Sequence, residues 1–331
     1  EILRVYGYNN VDISNRLKSN IPDFVSSDDH QIAERLSNQL VTLGFNEMIN
    51  NSINSPDYGE ISQCIKNLKG VNIMNPLGQE LSQMRTTLLP GALEVVAFNL
   101  NRQSKSLKLF ELGKTYQQSH KGFKEEKYLS LAISGDVLTE NWNVRYQPQL
   151  FFYFKGIIQQ IIQKNCPLHW DEISSEMDIF SEGLTYAYKG KSLLHFGFVK
   201  KAILDKFDIN QQVLYAELDF RFLADLSKND NIQYQEIPKV PQIRRDFALL
   251  LDVSVPFDAL KQIALKTEKN TLNSVQLFDV YEGENLPKGK KSYGVSFYFQ
   301  DRRKTLTDKF VDKIMRKLQN QFEKELGAQL R

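Results

Sequence analysis

The chain has 331 residues, with 42 Lys and Arg against 40 Asp and Glu, and 41% of its residues are hydrophobic. This is the composition of an ordinary soluble protein, and at roughly 150 residues per domain the length suits two domains. No apolar run approaches the ~18 residues of a membrane-spanning helix. The most apolar stretch, "LFFYF" at 150–154, is followed directly by Lys155, so we expect no membrane partner.

The first predicted elements are helices. The chain opens on Glu1 rather than on Met, within a stretch that predicts a helix, and we expect it to be the C-terminal fragment of a longer protein. The segment "HQIAERLSNQLVTLGF" repeats apolar residues at helical spacing and stops at Gly44. The segment "LLPGALEVVAFNLNR" predicts another helix, with Pro90 near its first turn, where proline is tolerated.

Strands and one more helix follow in the region up to residue 236. The segments "SLKLFELGKTYQ" and "YLSLAISGDV" predict strands, and "FFYFKGIIQQIIQKN" predicts a helix. Two later segments, "LLHFGFVKK" and "VLYAELDF", predict strands again. This irregular alternation favours an α+β domain built around a mostly antiparallel sheet.

A break near "IPKVPQI" at 237–243 separates a second module. Its two prolines disfavour a helix, so an extended linker is predicted there. The predicted order after it is strand, helix, strand, strand, helix and a short final strand, which is the β-α-β-β-α-β order of ferredoxin-like domains. In the last helix, apolar residues recur every four positions and predict its buried face: Phe310, Ile314, Leu318 and Phe322.

The stretch "EGENLPKGKKS" at 282–292 comes close to the phosphate-binding pattern G-x-x-x-x-G-K-[ST]. Its spacing is wrong, because five residues separate Gly283 from Gly289 and Lys291 stands between Lys290 and Ser292. A phosphate-binding loop also needs a helix directly after it, whereas the residues that follow alternate like a strand. We interpret the stretch as a hairpin connection.

Basic residues are concentrated in the second module. Residues 238–331 hold 18 Lys and Arg against 12 Asp and Glu, whereas the rest of the chain holds 24 against 28. A basic module suggests an anionic partner. The candidate RNA-binding residues at its strand ends are Arg244, Arg245, Lys288, Lys290, Lys291, Tyr298, Arg302 and Arg303.

Aromatic residues lie along the same predicted strands. In a ferredoxin-like domain two helices cover one sheet face, and aromatic side chains on the other face can stack on unpaired bases. The alternative is that most of these rings are core and that the lysines only solvate a hairpin tip. The rings concerned are Phe278, Tyr281, Tyr293, Phe297, Tyr298 and Phe299.

The stretch 85–104 carries more apolar residues than a one-sided surface helix requires. Such an excess suggests a subunit interface, and a deep core helix explains it nearly as well. Glu111 lies in the apolar strand "LKLFELG", where a carboxylate needs a partner, and the two candidate partners are Arg85 and Arg102. The candidate interface residues are Arg85, Leu88, Leu89, Leu93 and Val96.

The sequence contains no familiar catalytic or metal-binding motif. Patterns such as G-x-S-x-G, H-E-x-x-H and G-x-G-x-x-G are absent. Cys64 and Cys166 are too few for a disulfide framework and have no zinc spacing. We therefore expect a reducing, cytoplasmic location and no catalytic residue in this chain.

Three stretches together resemble the β subunits of bacterial phenylalanyl-tRNA synthetases over nearly the whole chain. "EILRVYGYNN" is similar to the end of that family's winged-helix-like domain, and "NPLGQELSQMRTTLLPGALEVVAFNLNR" with "LKLFELGKTY" to a signature of its class II synthetase-like domain. "RRDFALLLDV" and "VQLFDVYEGENLPKGKKSYGVSFYFQDRRKTLTD" resemble its ferredoxin-fold anticodon-binding domain. The resemblance implies a tail of the preceding domain and a linker at 1–27, a synthetase-like domain at 28–236 and an anticodon-binding domain at 237–331.

The resemblance also implies a non-catalytic subunit of a phenylalanine–tRNA ligase. "LKLFELG" keeps the Phe-Glu of a class II motif without its arginine, and the glycine-rich motif that ends in Glu-Arg is missing. Because adenylate chemistry relies on such cations, ATP would be used by a partner α subunit in an (αβ)₂ heterotetramer that charges phenylalanine tRNA. Of the family's shared magnesium site, only Glu1 would lie in this chain, and a hard cation needs several oxygens.

Two other functions fit parts of the sequence. An autonomous synthetase-type enzyme would activate phenylalanine by itself, against the missing motifs. A pure scaffold would support the α subunit and leave every tRNA contact to other domains.

Overall fold

The computed structural model contains two compact units, Glu1–Asn231 and Ile232–Arg331. Within the described part of the chain, no helix combines the length and apolar character needed to cross a bilayer. The residues that the structure describes are 1–11, 29–120, 122–136, 150–166, 170–227, 234, 236–283, 286–302 and 304–330.

The helices predicted in the larger unit are confirmed, and shorter ones join them. The stripes of apolar residues that predicted helices at Asp29–Thr42, Leu89–Leu100 and Leu150–Asn165 are the faces that these helices bury. The described helices of this unit are α1 (Ile2–Tyr6), α2 (Asp29–Thr42), α3 (Gln63–Lys66), α4 (Leu89–Leu100), α5 (Leu150–Asn165), α6 (Lys201–Leu204) and α7 (Phe220–Ser227).

A seven-stranded sheet forms the centre of the larger unit, in the order β1-β5-β6-β10-β9-β8-β7. Only the pairing of β1 with β5 is parallel among these strands, so the predicted antiparallel sheet is confirmed. A small sheet, β2-β4-β3, lies apart from it. The strands are β1 (Asn46–Glu47), β2 (Ile53–Asn54), β3 (Val71–Asn72), β4 (Gln83–Met84), β5 (Leu107–Ser119), β6 (Gly122–Ser134), β7 (Asp171–Ser174), β8 (Phe180–Tyr188), β9 (Lys191–Val199) and β10 (Val213–Asp219).

Each face of the large sheet has its own core. One core joins the sheet to α2, α5 and α7, and Phe110, Phe154 and Phe196 are among its fully buried rings. The other joins the sheet to α4 and the short helices α3 and α6, around residues such as Leu93 and Tyr215. The sheet is therefore covered on both faces, and polar groups on either face need partners within the protein.

A buried ion pair connects the entrance of α4 to the large sheet. The Nη1 atom of Arg85 lies 2.6 Å from Oε1 of Glu111, and both side chains are almost fully buried. The Nδ2 atom of Asn50 donates to the other carboxylate oxygen at 2.7 Å, and Arg85 Nε donates to the Lys114 carbonyl at 2.8 Å. Gly113 leaves room for the guanidinium, since a Cβ atom there would lie 2.4 Å from Arg85 Nη2. Arg85 is thus the partner of Glu111.

Glu111 and four other polar residues lie side by side on one face of the large sheet, one on each of five neighbouring strands. The strand register pairs Glu111 with Ser130, Ser130 with Glu217, Glu217 with His195, and His195 with Thr185. Directly opposite residues of neighbouring strands share a face. We call these five residues the polar row. Thr185 Oγ1 lies 2.8 Å from His195 Nδ1, and burial lowers the pKa of the His195 imidazole.

The smaller unit has the predicted β-α-β-β-α-β order, which is confirmed. Its four strands pair in the order β12-β13-β11-β14, all antiparallel. The segment after Gly289 continues as a strand, so the stretch at 282–292 is a hairpin connection as predicted. The elements are β11 (Ile243–Asp252), α8 (Phe257–Thr267), β12 (Leu272–Tyr281), β13 (Lys290–Phe299), α9 (Asp308–Leu326) and β14 (Gln329–Leu330).

One face of the small sheet packs against α8 and α9. Alternate residues of the central strand β13 point into this core, from Tyr293 to the fully buried Phe297 and Phe299. The predicted face of α9 is right except at its start, because Phe310 is 44% exposed and Val311 is buried instead. An α-helix has 3.6 residues per turn, so residues spaced strictly four apart move gradually away from the buried face.

We expect the Arg85–Glu111 pair to behave as a coupled unit. Replacing Glu111 by Leu leaves a buried guanidinium without its carboxylate and should lower the free energy of unfolding by roughly 3–5 kcal/mol. The double variant Arg85→Met with Glu111→Leu should lose much less than the sum of the two single changes. Urea denaturation measures both quantities.

The exposed pair Lys66–Glu60 provides the matched control, because its side chains are 52% and 63% exposed. Replacing Glu60 by Gln should change the free energy of unfolding by less than about 1 kcal/mol. Strict additivity of the Arg85 and Glu111 variants would contradict the coupling.

The half-buried His195 should make the native state less stable in mild acid. Its pKa lies below the usual 6.5, so below that pH the unfolded chain binds a proton that the folded chain binds less readily. Stability is then lost as the pH falls from about 6.5 toward the lower folded value. His195→Gln should lose less stability than the unchanged chain between about pH 7.5 and about pH 5.5, measured by chemical denaturation.

The exposed His120 serves as the comparison for this measurement. His120→Gln should keep the acid sensitivity of the unchanged chain. An equal loss of stability in the two variants would show that His195 does not contribute to it.

Candidate functional site

The face of the small sheet that points away from α8 and α9 carries a group of aromatic and charged side chains. Arg244 of β11 stands directly opposite Tyr298 of β13 in the strand register. The guanidinium carbon of Arg244 lies 6.0 Å from the Tyr298 ring centroid and 5.4 Å from that of Phe278. Phe278 is 56% exposed. We call Arg244, Asp246, Phe278 and Tyr298 the Arg244 cluster.

Asp246 holds the Arg244 guanidinium in place. Arg244 donates to both carboxylate oxygens, through Nε at 2.8 Å and through Nη2 at 3.0 Å. This pairing lowers the pKa of the Asp246 carboxyl and raises the pKa of Arg244. The two-pronged bond keeps the guanidinium plane over the rings, which is an arrangement suited to stacking.

A glycine allows Phe278 to lie across the sheet. A Cβ atom at Gly294 on the neighbouring strand would lie 2.8 Å from Cζ of Phe278. The register also shifts between Leu277 and Asp279, which makes Phe278 the extra residue of a bulge. Bulges redirect side chains, and here the bulge and the glycine together place an exposed ring on the open face.

Two of the candidate cations, Arg245 and Lys291, point to the face of the small sheet that α8 and α9 cover, and each has a bonding partner there. Arg245 is bonded to Asp308 and lies 3.7 Å from Asp312, both on α9. Lys291 is buried and donates to the Val253 carbonyl at 2.8 Å. Both residues are in step with the core residues of their strands, so their assignment to the open face of the sheet as RNA-binding residues is corrected. The rings of Tyr293, Phe297 and Phe299 are likewise core, as the alternative interpretation held.

The remaining candidates lie at opposite ends of the small sheet. Lys288 is exposed and Lys290 half-buried at the hairpin before β13, whereas Arg302 follows the far end of the same strand. At roughly 3.3 Å per residue, a strand of ten residues separates these ends by about 30 Å. Arg303 lies outside the described residues. The predicted patch is therefore two separate groups, with the Arg244 cluster beside the Arg302 end.

The candidate subunit-interface residues are buried within this chain. Arg85 is 6% exposed, Leu88 is 1% exposed, and Leu89, Leu93 and Val96 are fully buried. They leave no surface for a partner, so their assignment to an interface is corrected to core. The exposed side of α4 instead presents Glu94 and Phe98, and the Arg102 guanidinium lies 3.3 Å over the Phe98 ring.

Glu1 does not form a metal site by itself. Its side chain is exposed and lies 3.4 Å from Arg4. Among the described residues, no group of three or more His, Cys, Asp or Glu side chains is placed to hold a metal ion. The described residues by themselves therefore do not fit a magnesium ion, and the role of Glu1 as a ligand stays a prediction.

A cavity of about 250 Å³ lies in the larger unit and includes Glu217 and His195 of the polar row. Asp219 and Tyr128 also line it, and no Arg or Lys is among its described lining residues. We call it the acidic cavity. A second, more polar cavity of about 580 Å³ includes Arg85, whose guanidinium is already bonded to Glu111. Acidic Asp57, Glu80 and Glu94 surround that second cavity as well.

Sequence reasoning missed the acidic cavity although a signal was present. Glu217 lies in the apolar strand "VLYAELD", in the same kind of context that drew attention to Glu111. A carboxylate between apolar residues needs a partner or a ligand. The same reasoning applied to Glu217 would have marked this face of the sheet.

Two family models match the chain, one in each unit. "Phenylalanyl tRNA synthetase beta chain CLM domain" matches residues 18–220, and "Ferredoxin-fold anticodon binding domain" matches residues 238–331. The second match agrees with the β-α-β-β-α-β fold of the smaller unit.

The relatives with curated names extend over the whole chain. The "Phenylalanine--tRNA ligase beta subunit" of Bacteroides fragilis is 40% identical over 346 residues, covering 100% of this chain and 42% of the relative. The protein of the same name from Bacteroides thetaiotaomicron is 39% identical over 347 residues, with the same coverage. The chain thus spans about two fifths of the length of these relatives.

Among solved structures, "Structure of Desulfitobacterium hafniense PylSc, a pyrrolysyl tRNA synthetase" has a TM-score of 0.48 and 13% identity, and covers 60% of this chain and 68% of that one. The sequence matches, which extend over the whole of this chain, decide the assignment instead. Since the phenylalanyl-tRNA synthetase β-chain model matches residues 18–220 and relatives of one name align with the whole of this chain at 40% and 39% identity, the chain belongs to the phenylalanine–tRNA ligase β-subunit family.

Proposed function

We propose that this chain works in a phenylalanine–tRNA ligase as a non-catalytic part of the β subunit. In this proposal residues 237–331 bind the anticodon arm of phenylalanine tRNA, and residues 28–236 support a catalytic α subunit in an (αβ)₂ heterotetramer. Residues 1–27 belong to the end of a preceding domain and a linker. The observation that carries the proposal is the Arg244 cluster on the open face of the small sheet.

The Arg244 cluster offers what an unpaired base requires. Phe278 is an exposed flat ring placed on a rigid sheet, and base–aromatic stacking contributes about 1–3 kcal/mol per base. Arg244 adds a planar guanidinium over two rings, a group that can stack on bases. Asp246 and Tyr298 add polar groups that can bond base edges. This combination supports an RNA with unpaired bases as the ligand.

The acidic cavity supports a non-catalytic role for the larger unit. Formation of an adenylate needs cations that face the phosphates of ATP. The described lining of this cavity presents Glu217 and Asp219 instead, and Arg85 at the neighbouring cavity is neutralised by Glu111. In the proposal ATP and magnesium are therefore used by the α subunit, in the cytoplasm.

Replacing Phe278 by Ala should weaken binding of phenylalanine tRNA by about 1–3 kcal/mol, because one stacking surface is removed. The dependence of affinity on salt should stay the same, since no charge changes. Fluorescence anisotropy at several salt concentrations measures both quantities. Phe310→Ala is the matched control, because Phe310 is also an exposed ring but lies on α9, away from the open face.

The double variant Lys288→Gln with Lys290→Gln should instead change how strongly the affinity for tRNA depends on salt. It removes two cations and should lower the slope of log affinity against log salt by about 0.7 for each phosphate that is no longer neutralised.

If Phe278→Ala binds tRNA as well as Phe310→Ala does, the Arg244 cluster is not the RNA site. The pure-scaffold interpretation predicts that result.

The chain alone should not activate phenylalanine. Incubated with ATP, phenylalanine and labelled pyrophosphate, it should produce no labelled ATP, because the described lining of the acidic cavity and of its neighbour offers the phosphates no unpaired cation. Mixed with an α subunit of the family, it should support charging of phenylalanine tRNA above the level of the α subunit alone. Exchange by the chain alone would contradict the proposal and favour an autonomous enzyme.

A further inference from the structure

The acidic cavity is built on the polar row of the large sheet. Glu217 and His195 belong to both, and they stand directly opposite each other on β10 and β9. Tyr128 and Asp219, the next opposite pair on β6 and β10 that faces this side, line the cavity too. Four polar residues of the lining therefore come from three paired strands, which form a rigid base for a binding site.

Glu217 is held by neutral donors. Thr87 Oγ1 donates to its Oε2 atom at 2.8 Å, and Tyr215 donates to the same atom at 2.5 Å. Burial raises the pKa of the Glu217 carboxyl. Arg85 is close enough to attract this carboxyl group, but its guanidinium is bonded to Glu111. Among the described residues, Glu217 thus has no cation of its own. A positively charged group in the cavity would supply one.

The groups around Glu217 point to the same kind of ligand. Burial and the charges of Glu126, Glu217 and Asp219 raise the pKa of the Tyr128 hydroxyl, so this side of the cavity is negative in potential. Asp219 is only 3.8 Å from Lys191, but that lysine is 61% exposed. Ser130, next to Glu217 in the polar row, is fully buried, and its hydroxyl has no hydrogen-bond partner among the described residues.

The other walls of the acidic cavity are apolar. Ile65, Ile179 and Phe180 are buried residues that line it, and Leu68 and Met177 complete the wall. A volume of about 250 Å³ equals that of about eight liquid waters, so the space suits a molecule of the size of a substituted benzene ring. An apolar wall opposite a carboxylate selects for a ligand with one charged end.

We propose that the acidic cavity binds a small molecule that joins one protonated primary amine to an apolar or aromatic body. The ammonium group bonds Glu217, and the apolar body fills the space along Ile65 and Phe180. Molecules with a carboxylate or phosphate instead of the amine are rejected by Glu217 and Asp219. This site is separate from the proposed tRNA surface, which lies in the other unit, and it stands or falls independently of it.

The test compares two probes of similar size and opposite charge. Phenethylamine should bind the chain in isothermal titration calorimetry, with one site per chain, and 3-phenylpropionate should not. Equal binding of both probes, or of neither, would overturn the proposal. Binding of neither would mean that the cavity holds only water.

Glu217→Gln keeps the shape of the side chain and an oxygen that accepts from Thr87 and Tyr215, but removes the charge. It should weaken phenethylamine binding by roughly ten- to a hundredfold, as expected for loss of a charged hydrogen bond. Glu182→Gln is the matched control, since Glu182 is an exposed acid on β8 of the same sheet. Equal affinity in the two variants would overturn the assignment of Glu217.

A second measurement needs no variant. Cys64 lines the acidic cavity and is partly exposed, whereas Cys166 is buried elsewhere. Phenethylamine should slow alkylation of Cys64 by iodoacetamide severalfold, followed by mass spectrometry, and 3-phenylpropionate should leave the rate unchanged. An unchanged rate at saturating phenethylamine would place the amine outside the cavity.

Discussion

Consecutive side chains of a β-strand point to opposite faces, and this constraint decides which charges of the protein can meet a ligand. In the small sheet it separates the neighbours Arg244 and Arg245. Arg244 lies over the rings of the open face, while Arg245 lies against the acids of α9. Lys291 likewise points to the helix side, where it bonds a carbonyl. A count of basic residues therefore overstates the surface that RNA can contact.

The same alternation organises the large sheet. Odd-numbered residues of β5 and β10, such as Glu111 and Glu217, face α4, whereas their even-numbered neighbours Phe110 and Leu218 fill the opposite core. The strand register then aligns the polar residues into one row. Arg85 neutralises one end of this row, and the acidic cavity lies over its middle. One pattern thus supplies both a structural ion pair and a place for a ligand.

The sequence was sufficient for the elements and insufficient for their register. The order of the smaller unit followed from local alternation and helical stripes, and Glu111 required a partner because of its apolar neighbours. The sequence also indicated that Lys291 lies on the core side of its strand, because an even number of positions separates it from Tyr293 and from Phe297. The polar row was not visible, because it depends on pairing between residues as far apart in the chain as Ser130 and Glu217. The apolar stretch at 85–104 suited both core and interface, and only its burial decides between them.

The pairing of Arg244 with Asp246 has a consequence for the proposed binding of RNA by the small unit. Because the pair carries no net charge, the Arg244 cluster attracts a phosphate backbone only weakly and acts mainly through its rings and its hydrogen-bonding geometry. Long-range attraction must come from cations without such tight partners, and Lys288 stands exposed at the hairpin end, about 30 Å away. Under the proposed function, the attraction of the RNA backbone and the contacts with bases therefore fall at different ends of the sheet. An RNA that uses both ends must extend along β13, which favours a folded stem and loop over a single short strand.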